Sequence, residues 1–226
     1  PNGAWRGVPS QPMHASSRYP DRFRHLVRTD HRDPDAKHWI RFIADSPHAC
    51  ATRLIVRSEI EVRDFRDGAY RPCFQAAADH GVPIFLFLDQ GDIAPAIQYI
   101  TEFPSARIIL DHMGMGRSRE EVRTPEKLEA VLGLAGFRNV FIKRCHAYFG
   151  FGPLKYPFEG TREPLRRTVD AFGADRVMWA SDFTIREHEV SWVDRLLSVR
   201  ESPVLSDDEK SWILGRTARA VLGWQA

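Results

Sequence analysis

Two short apolar runs in this chain each end in side chains that can move protons. The first is Arg107-Ile108-Ile109-Leu110-Asp111-His112-Met113-Gly114, closed by a carboxylate, an imidazole and a glycine. The second, Arg176-Val177-Met178-Trp179-Ala180-Ser181-Asp182, is closed by a carboxylate. A carboxylate at the mouth of a buried strand is partly desolvated, so its proton affinity shifts and it can take a proton from water. Asp182 is therefore the candidate general base, or a metal ligand that also shuttles the proton. His112 is the candidate partner, able to polarise a carbonyl, donate to a developing oxyanion or bind a metal. The plainer roles stand beside these: a carboxylate capping loop amides, and a histidine bonded to backbone.

Asp111 has the opposite strand parity to His112, so at most one of the two points fully inward, and Asp111 is assigned a structural role. Arg53, Lys143, Arg144 and His146 fall at or near strand ends, where a cation can clamp a substrate carboxylate or simply sit in a solvated ion pair. Tyr148, Phe149, Phe151 and Tyr156 are candidates for one pocket wall. Asp89 closes a third apolar run, Val82 to Leu88, as an inward polar group or a turn cap. Other chemistries fail on inspection. Gly114-Met115-Gly116-Arg117-Ser118-Arg119 lacks the third glycine of a dinucleotide fingerprint. No GxSxG serine elbow occurs, and the adjacency of Cys145 and His146 gives poor nucleophile–base geometry.

The elements that must position these groups alternate. Short β-branched runs begin near residues 23, 51, 83, 106, 139 and 176. Helical spacing follows most of them: a helix after Asp33-Pro34-Asp35, then Tyr70 to His80, Ile93 to Phe103, Pro125 to Leu134 and Pro164 to Phe172. Gly81 and Gly173 stand where helices stop. Glu187 to Val199 and Ser206 to Leu222 complete the chain as helices, the second with Ser206 and Glu209 spaced as a capping box. A short helix across His14 to Tyr19 precedes the first strand. The steps, about 23 to 37 residues, suit repeated βα units. Doubly buried strands in strict alternation require a parallel sheet. The fold is either an open doubly wound sheet or most of a (β/α)8 barrel, with no domain boundary visible within residues 1–226.

Composition narrows the partners. The chain has 226 residues, 43% hydrophobic and 27% charged, with a net charge of +2. That balance gives no reason to expect nucleic acid or an anionic membrane surface. No apolar stretch has the length of a membrane span. Three cysteines, Cys50, Cys73 and Cys145, are widely spaced and outside any CxxC. A cytoplasmic, reducing location is the default, a small molecule is the expected partner, and a homo-oligomer stays open.

Three segments together resemble the amidohydrolase-2 family of (β/α)8 barrels: Ile109-Leu110-Asp111-His112-Met113-Gly114, Phe172 through Phe183, and Ile213-Leu214-Gly215-Arg216-Thr217-Ala218-Arg219. The resemblance extends from about Tyr19 to Trp224. It implies that the six strands are the third to eighth of a barrel. The first one or two strands, including the family's His-x-His pair, have no counterpart here; such barrels typically need ~250 residues. The resemblance also implies a divalent metal such as zinc, for which His112 and Asp182 are the candidate ligands. Phe85-Leu86-Phe87-Leu88-Asp89-Gln90 stands where metal-using relatives place a fifth-strand histidine, which favours metal-independent hydrolysis. The expected activity is water attack on an ester, lactone or amide carbonyl of a small acidic or aromatic molecule. Asp182 and His112 are then catalytic, and Arg53, Lys143, His146 and Tyr156 bind substrate. Non-oxidative decarboxylation is the alternative within the family, and a non-catalytic barrel fragment the alternative outside it. An incomplete barrel would expose sheet edges and invite pairing between copies.

Overall fold

A computed structural model describes residues 10–88, 92–116, 125–145, 151, 155–182 and 190–224. Six strands form one sheet: β1 (His25–Arg28), β2 (Ala49–Val56), β3 (Ile84–Leu88), β4 (Ile108–Leu110), β5 (Val140–Arg144) and β6 (Val177–Trp179). Each pairs in parallel with the next, in the order in which they occur in the chain. A doubly wound sheet reverses its strand order at a switch point. No reversal occurs here, so crossovers of one hand carry all the helices to one face. The architecture is α/β, a (β/α)8-type barrel wall carrying six strands, with β1 and β6 at its edges among the described residues.

Helix α1 (Ser10–Arg18) precedes the sheet. Helix α2 (Ala36–Asp45) links β1 to β2, and α3 (Glu59–Arg66) with α4 (Arg71–Asp79) links β2 to β3. Helices α5 (Ala96–Glu102), α6 (Pro125–Leu132) and α7 (Arg162–Phe172) make the next three crossovers. After β6 come α8 (Trp192–Arg200), α9 (Asp207–Ser211) and α10 (Thr217–Leu222). None of the described helices is long and apolar enough to cross a membrane.

Strand parity divides the core in two. Leu54, Val56, Ile84, Leu86, Ile108, Leu110, Val140, Ile142 and Val177 face the helices in the larger cluster. Ala51, Phe85, Ile109 and Met178 face the other way, with Leu26 and Phe141 beside them and Val221 of α10 against them. Burial on both faces explains why these runs read as continuous apolar stretches rather than alternating ones.

The helix stops expected at glycine are present: Gly81 and Gly173 have φ of +64° and +84°. Two departures have local causes. Helix α3 was not expected, yet Ser58 caps it by accepting from the Glu61 amide, while the Glu61 carboxylate accepts from the Ser58 amide. Ser58→Ala is expected to cost about 1 kcal/mol of stability, read as a lower urea midpoint at unchanged slope. The helix expected over Ser206 to Leu222 is present without a break from Asp207, but it contains a π-helical turn at Trp212–Arg216 between α9 and α10. Its predicted capping box is formed, with Ser206 and Glu209 bonded reciprocally.

Glu209 also ties α9 to α7. Its two carboxylate oxygens accept from Arg166 Nη1 at 3.0 Å and Nη2 at 2.7 Å. The Arg166 bonds, helped by the Ser206 amide, hold the Glu209 carboxyl down at about 2, against an ordinary value of 4.5. A folded-state value below the unfolded one stabilises the protein above the unfolded value. The contribution is therefore present above pH 4.5 and is lost as pH falls toward 2. Acid titration of unfolding free energy should show a shallower loss over that window in Glu209→Gln than in the parent; parallel curves would contradict this.

Candidate functional site

Register sets the inner layers. Arg53, Phe85, Ile109 and Phe141 are cross-strand partners. Two positions further along each strand lie Ile55, Phe87, Asp111 and Lys143, where β4 has just ended. Asp111 thus inherits the inward parity of Ile109, and it meets two cations. Arg53 donates from Nε at 2.8 Å and Nη2 at 2.7 Å to Oδ2, and Lys143 donates from Nζ at 2.8 Å to Oδ1. Asp111 is 1% exposed. Burial would raise its proton affinity, but Lys143 and Arg53 outweigh that and hold it below the usual carboxylate range. For Lys143, burial opposes the charge and Asp111 restores it, with a net upward shift. Phe87 lies under the Arg53 guanidinium at 5.1 Å, and Phe85 under Lys143 at 5.5 Å.

His112 should face outward by strand alternation, yet it does not. The chain leaves β4 with His112, Met113 and Gly114 at φ of +54°, +61° and +69°. Two successive non-glycine residues in the left-handed region cost roughly 1–2 kcal/mol each and persist only where the surroundings enforce them. The turn brings the imidazole to Asp182, whose own φ is +42° as it leaves β6. The distance from His112 Nε2 to Asp182 Oδ2 is 3.9 Å. His112 Nδ1 lies 3.2 Å from the Cys145 thiol at the end of β5, and its ring packs edge-on against Phe87. His112 and Cys145 are buried and Asp182 is partly exposed, so any approach of solvent to the cluster is on the Asp182 side.

Of the residues singled out in the sequence, the structure therefore joins His112 to Asp182 and gathers Arg53 and Lys143 on Asp111. The expectation that only one of Asp111 and His112 could turn into the site is corrected, because the left-handed turn at His112 breaks the alternation. Beside the two candidate ligands His112 and Asp182 the structure places a third ligand-type atom, the Cys145 sulfur. The Tyr156 hydroxyl donates to Glu201 Oε2 at 2.7 Å, and its ring lies beside Phe158 and Val190. Arg144 points to the helix side, where Nη2 is 3.4 Å from the Thr161 hydroxyl. His146, Tyr148, Phe149 and Asp89 lie outside the described residues.

One rim histidine escaped the sequence reading. His31, just past β1, stacks on Tyr70 at 3.8 Å and sits 3.1 Å from Asp64 of α3. It ties the β1 exit to α3. No motif marks it, because its partners Asp64 and Tyr70 lie more than thirty residues further along the chain.

Comparison with known proteins agrees with this fold. The uncharacterized protein y4mH of Sinorhizobium fredii is 30% identical over 124 residues, 53% of this chain and 39% of that protein. The match thus spans well under half of that relative's length. A proposed 2-pyrone-4,6-dicarboxylic acid hydrolase from Pseudomonas putida superposes with a TM-score of 0.76 at 21% identity, covering 96% of this chain and 78% of the other. The 5-carboxyvanillate decarboxylase LigW from Sphingomonas paucimobilis gives 0.70 at 17% identity, covering 96% and 71%. At such identities these two establish the fold alone. A family model described as amidohydrolase matches residues 9–224, and the chain belongs to that family.

Proposed function

We propose that this rim carries out hydrolysis of an ester or lactone carbonyl in a small molecule bearing a carboxylate. The observation that carries the reading is the meeting of His112 and Asp182, 3.9 Å apart, from strand exits 70 positions apart in sequence. Asp182 takes a proton from water as the water oxygen bonds to the carbonyl carbon. His112 donates to the oxygen that gains negative charge. When the tetrahedral adduct collapses, the C–O bond to the leaving oxygen breaks. The proton held by Asp182 passes to that oxygen, which restores the base.

Substrate orientation falls to the cations. Arg53 and Lys143 carry two positive charges against the one negative charge of Asp111, which leaves the group one positive. Their side chains are 26% and 18% exposed, so neither cation is sealed from solvent. Phe87, between Arg53 and the His112 ring, supplies an apolar face for a planar ring. An imidazole and a carboxylate at this separation also suit a zinc-type ion. Such an ion, bound by His112 and Asp182, supplies Lewis acidity and a more acidic water.

The test is turnover of paired lactones that differ by one ring carboxylate. The carboxylated member should be opened at least about tenfold faster in kcat/KM, the size of one charge-assisted contact. Equal rates, or no opening of either, would contradict the reading. Decarboxylation of a carboxylated aromatic is the second reading, favoured by the same cationic pair and by the decarboxylase among the structural neighbours. Release of carbon dioxide from such acids without lactone opening would establish it instead.

A further inference from the structure

Cys145 has no part in the hydrolysis just described, and its position is unusual for a packing residue. It is 2% exposed and sits between two strand exits, against His112 on one side and near Asp182 on the other. One ligand-type atom from each of His112, Cys145 and Asp182 lies within 4.8 Å of both others. These are an imidazole nitrogen, a sulfur and a carboxylate oxygen, drawn from the consecutive exits of β4, β5 and β6.

We propose that Cys145 is a metal ligand, completing with His112 and Asp182 a mixed nitrogen, sulfur and oxygen site selective for zinc and other thiophilic divalent ions. Bonds of about 2.0–2.3 Å around a tetrahedral ion set donors roughly 3.3–3.8 Å apart. One ring nitrogen of His112 serves the ion, and with a single nitrogen the three donors lie within 4.8 Å of one another, so they close by about 1 Å to reach that spacing. Three protein ligands leave the fourth position for water or substrate, as in catalytic rather than structural zinc sites. The thiol proton leaves to solvent as the metal–sulfur bond forms, with no change of oxidation state.

The sulfur also sets the preference among ions. Imidazole with thiolate selects zinc or cobalt, whereas magnesium and calcium require oxygen donors. A site of His112 and Asp182 alone would discriminate less. The left-handed turns at His112 and Asp182 gain a reason on this account: each aims a donor at a common point instead of continuing its strand direction. The proposal shares two residues with the hydrolytic reading but is tested without substrate, so the failure of either leaves the other standing.

The experiment loads the chelator-stripped protein with cobalt(II), which reports sulfur ligation through a thiolate-to-cobalt charge-transfer absorption in the near ultraviolet. One equivalent should bind with that absorption, and zinc should displace it while magnesium does not. Cys145→Ser should abolish the band and weaken zinc binding by at least about tenfold. Because the chain has three cysteines, the double variant Cys50→Ser/Cys73→Ser leaves Cys145 as the sole thiol. That variant should keep the band in full, which decides the matter even where Cys145→Ser fails to fold. Cobalt bound without the band, a band lost in the double variant, a band retained in Cys145→Ser, or no cobalt bound at all would overturn the proposal.

Discussion

Replacing Asp182 with asparagine is expected to slow carbonyl hydrolysis by about 10²–10⁴-fold, the range of a lost general base. The effect should fall on kcat, with KM little changed, since the carboxylate acts as charge develops and the substrate is held by Arg53 and Lys143. The substitution is suited to the position. Asp182 sits at φ +42°, and asparagine is among the few residues that accept the left-handed region readily. The amide has the volume of the carboxylate and loses only the capacity to accept a proton. Steady-state kinetics, with circular dichroism as the check on folding, measure the change. A folded Asp182→Asn protein turning over at the parent rate would remove Asp182 from the chemistry.

The second large effect is on stability. Asp111→Asn should destabilise the protein by about 3–5 kcal/mol, because it leaves the Arg53 and Lys143 charges in a largely buried site without their counter-ion. The Asp111 carboxylate is fully enclosed, while its two partners are each only partly exposed. Urea unfolding at neutral pH reads the loss directly. A matched control separates the cost of unpaired charge from the worth of the triad. Asp111→Leu combined with Arg53→Met and Lys143→Met should recover most of the stability, since apolar replacements of a whole buried ionic group are often neutral. The same triple variant should lose the preference for carboxylated substrates. Asp111 also has a depressed folded-state proton affinity, so its contribution holds above the ordinary carboxylate range and fades as acid approaches the lowered one. An Asp111→Asn change of less than about 1 kcal/mol would show the triad to be incidental.

Much of this architecture is legible in the residues. Apolar runs of strand length ending in Asp111 and Asp182 mark the sheet and the edge that carries the candidate site, because a parallel strand is buried on both faces until it leaves the sheet. Gly81 and Gly173 mark helix ends because a left-handed stop favours a residue without Cβ. Alternation alone leaves the choice between doubly wound sheet and barrel open; the unreversed order from β1 to β6 decides it, and order is a property of long-range packing. Helix α3 is hard to read in the sequence although Ser58 and Glu61 carry its capping signal, since its few apolar residues, among them Phe65, give a short stripe.

The site is less legible, for a specific reason. Parity arguments assume that a strand continues, and β4 ends at Leu110, just before the candidate site begins. From there His112 and Met113 adopt left-handed backbone that no side-chain preference announces, and this turn sets His112 beside Asp182 while Asp111 keeps its inward place. In sequence, Cys145 has His146 as its neighbour. Its partner in space is His112, 33 residues away across the β4–β5 pairing. Sequence adjacency concealed what sheet adjacency supplies.

The central claim, that His112 and Asp182 work as one unit on a single reacting centre, is tested most directly by a double-mutant cycle on kcat/KM with His112→Asn and Asp182→Asn. Residues that act together lose most of their effect with the first substitution. The account predicts a double variant within about threefold of the slower single variant. Losses that multiply, so that the double variant is slower by the product of the two single effects, would contradict it.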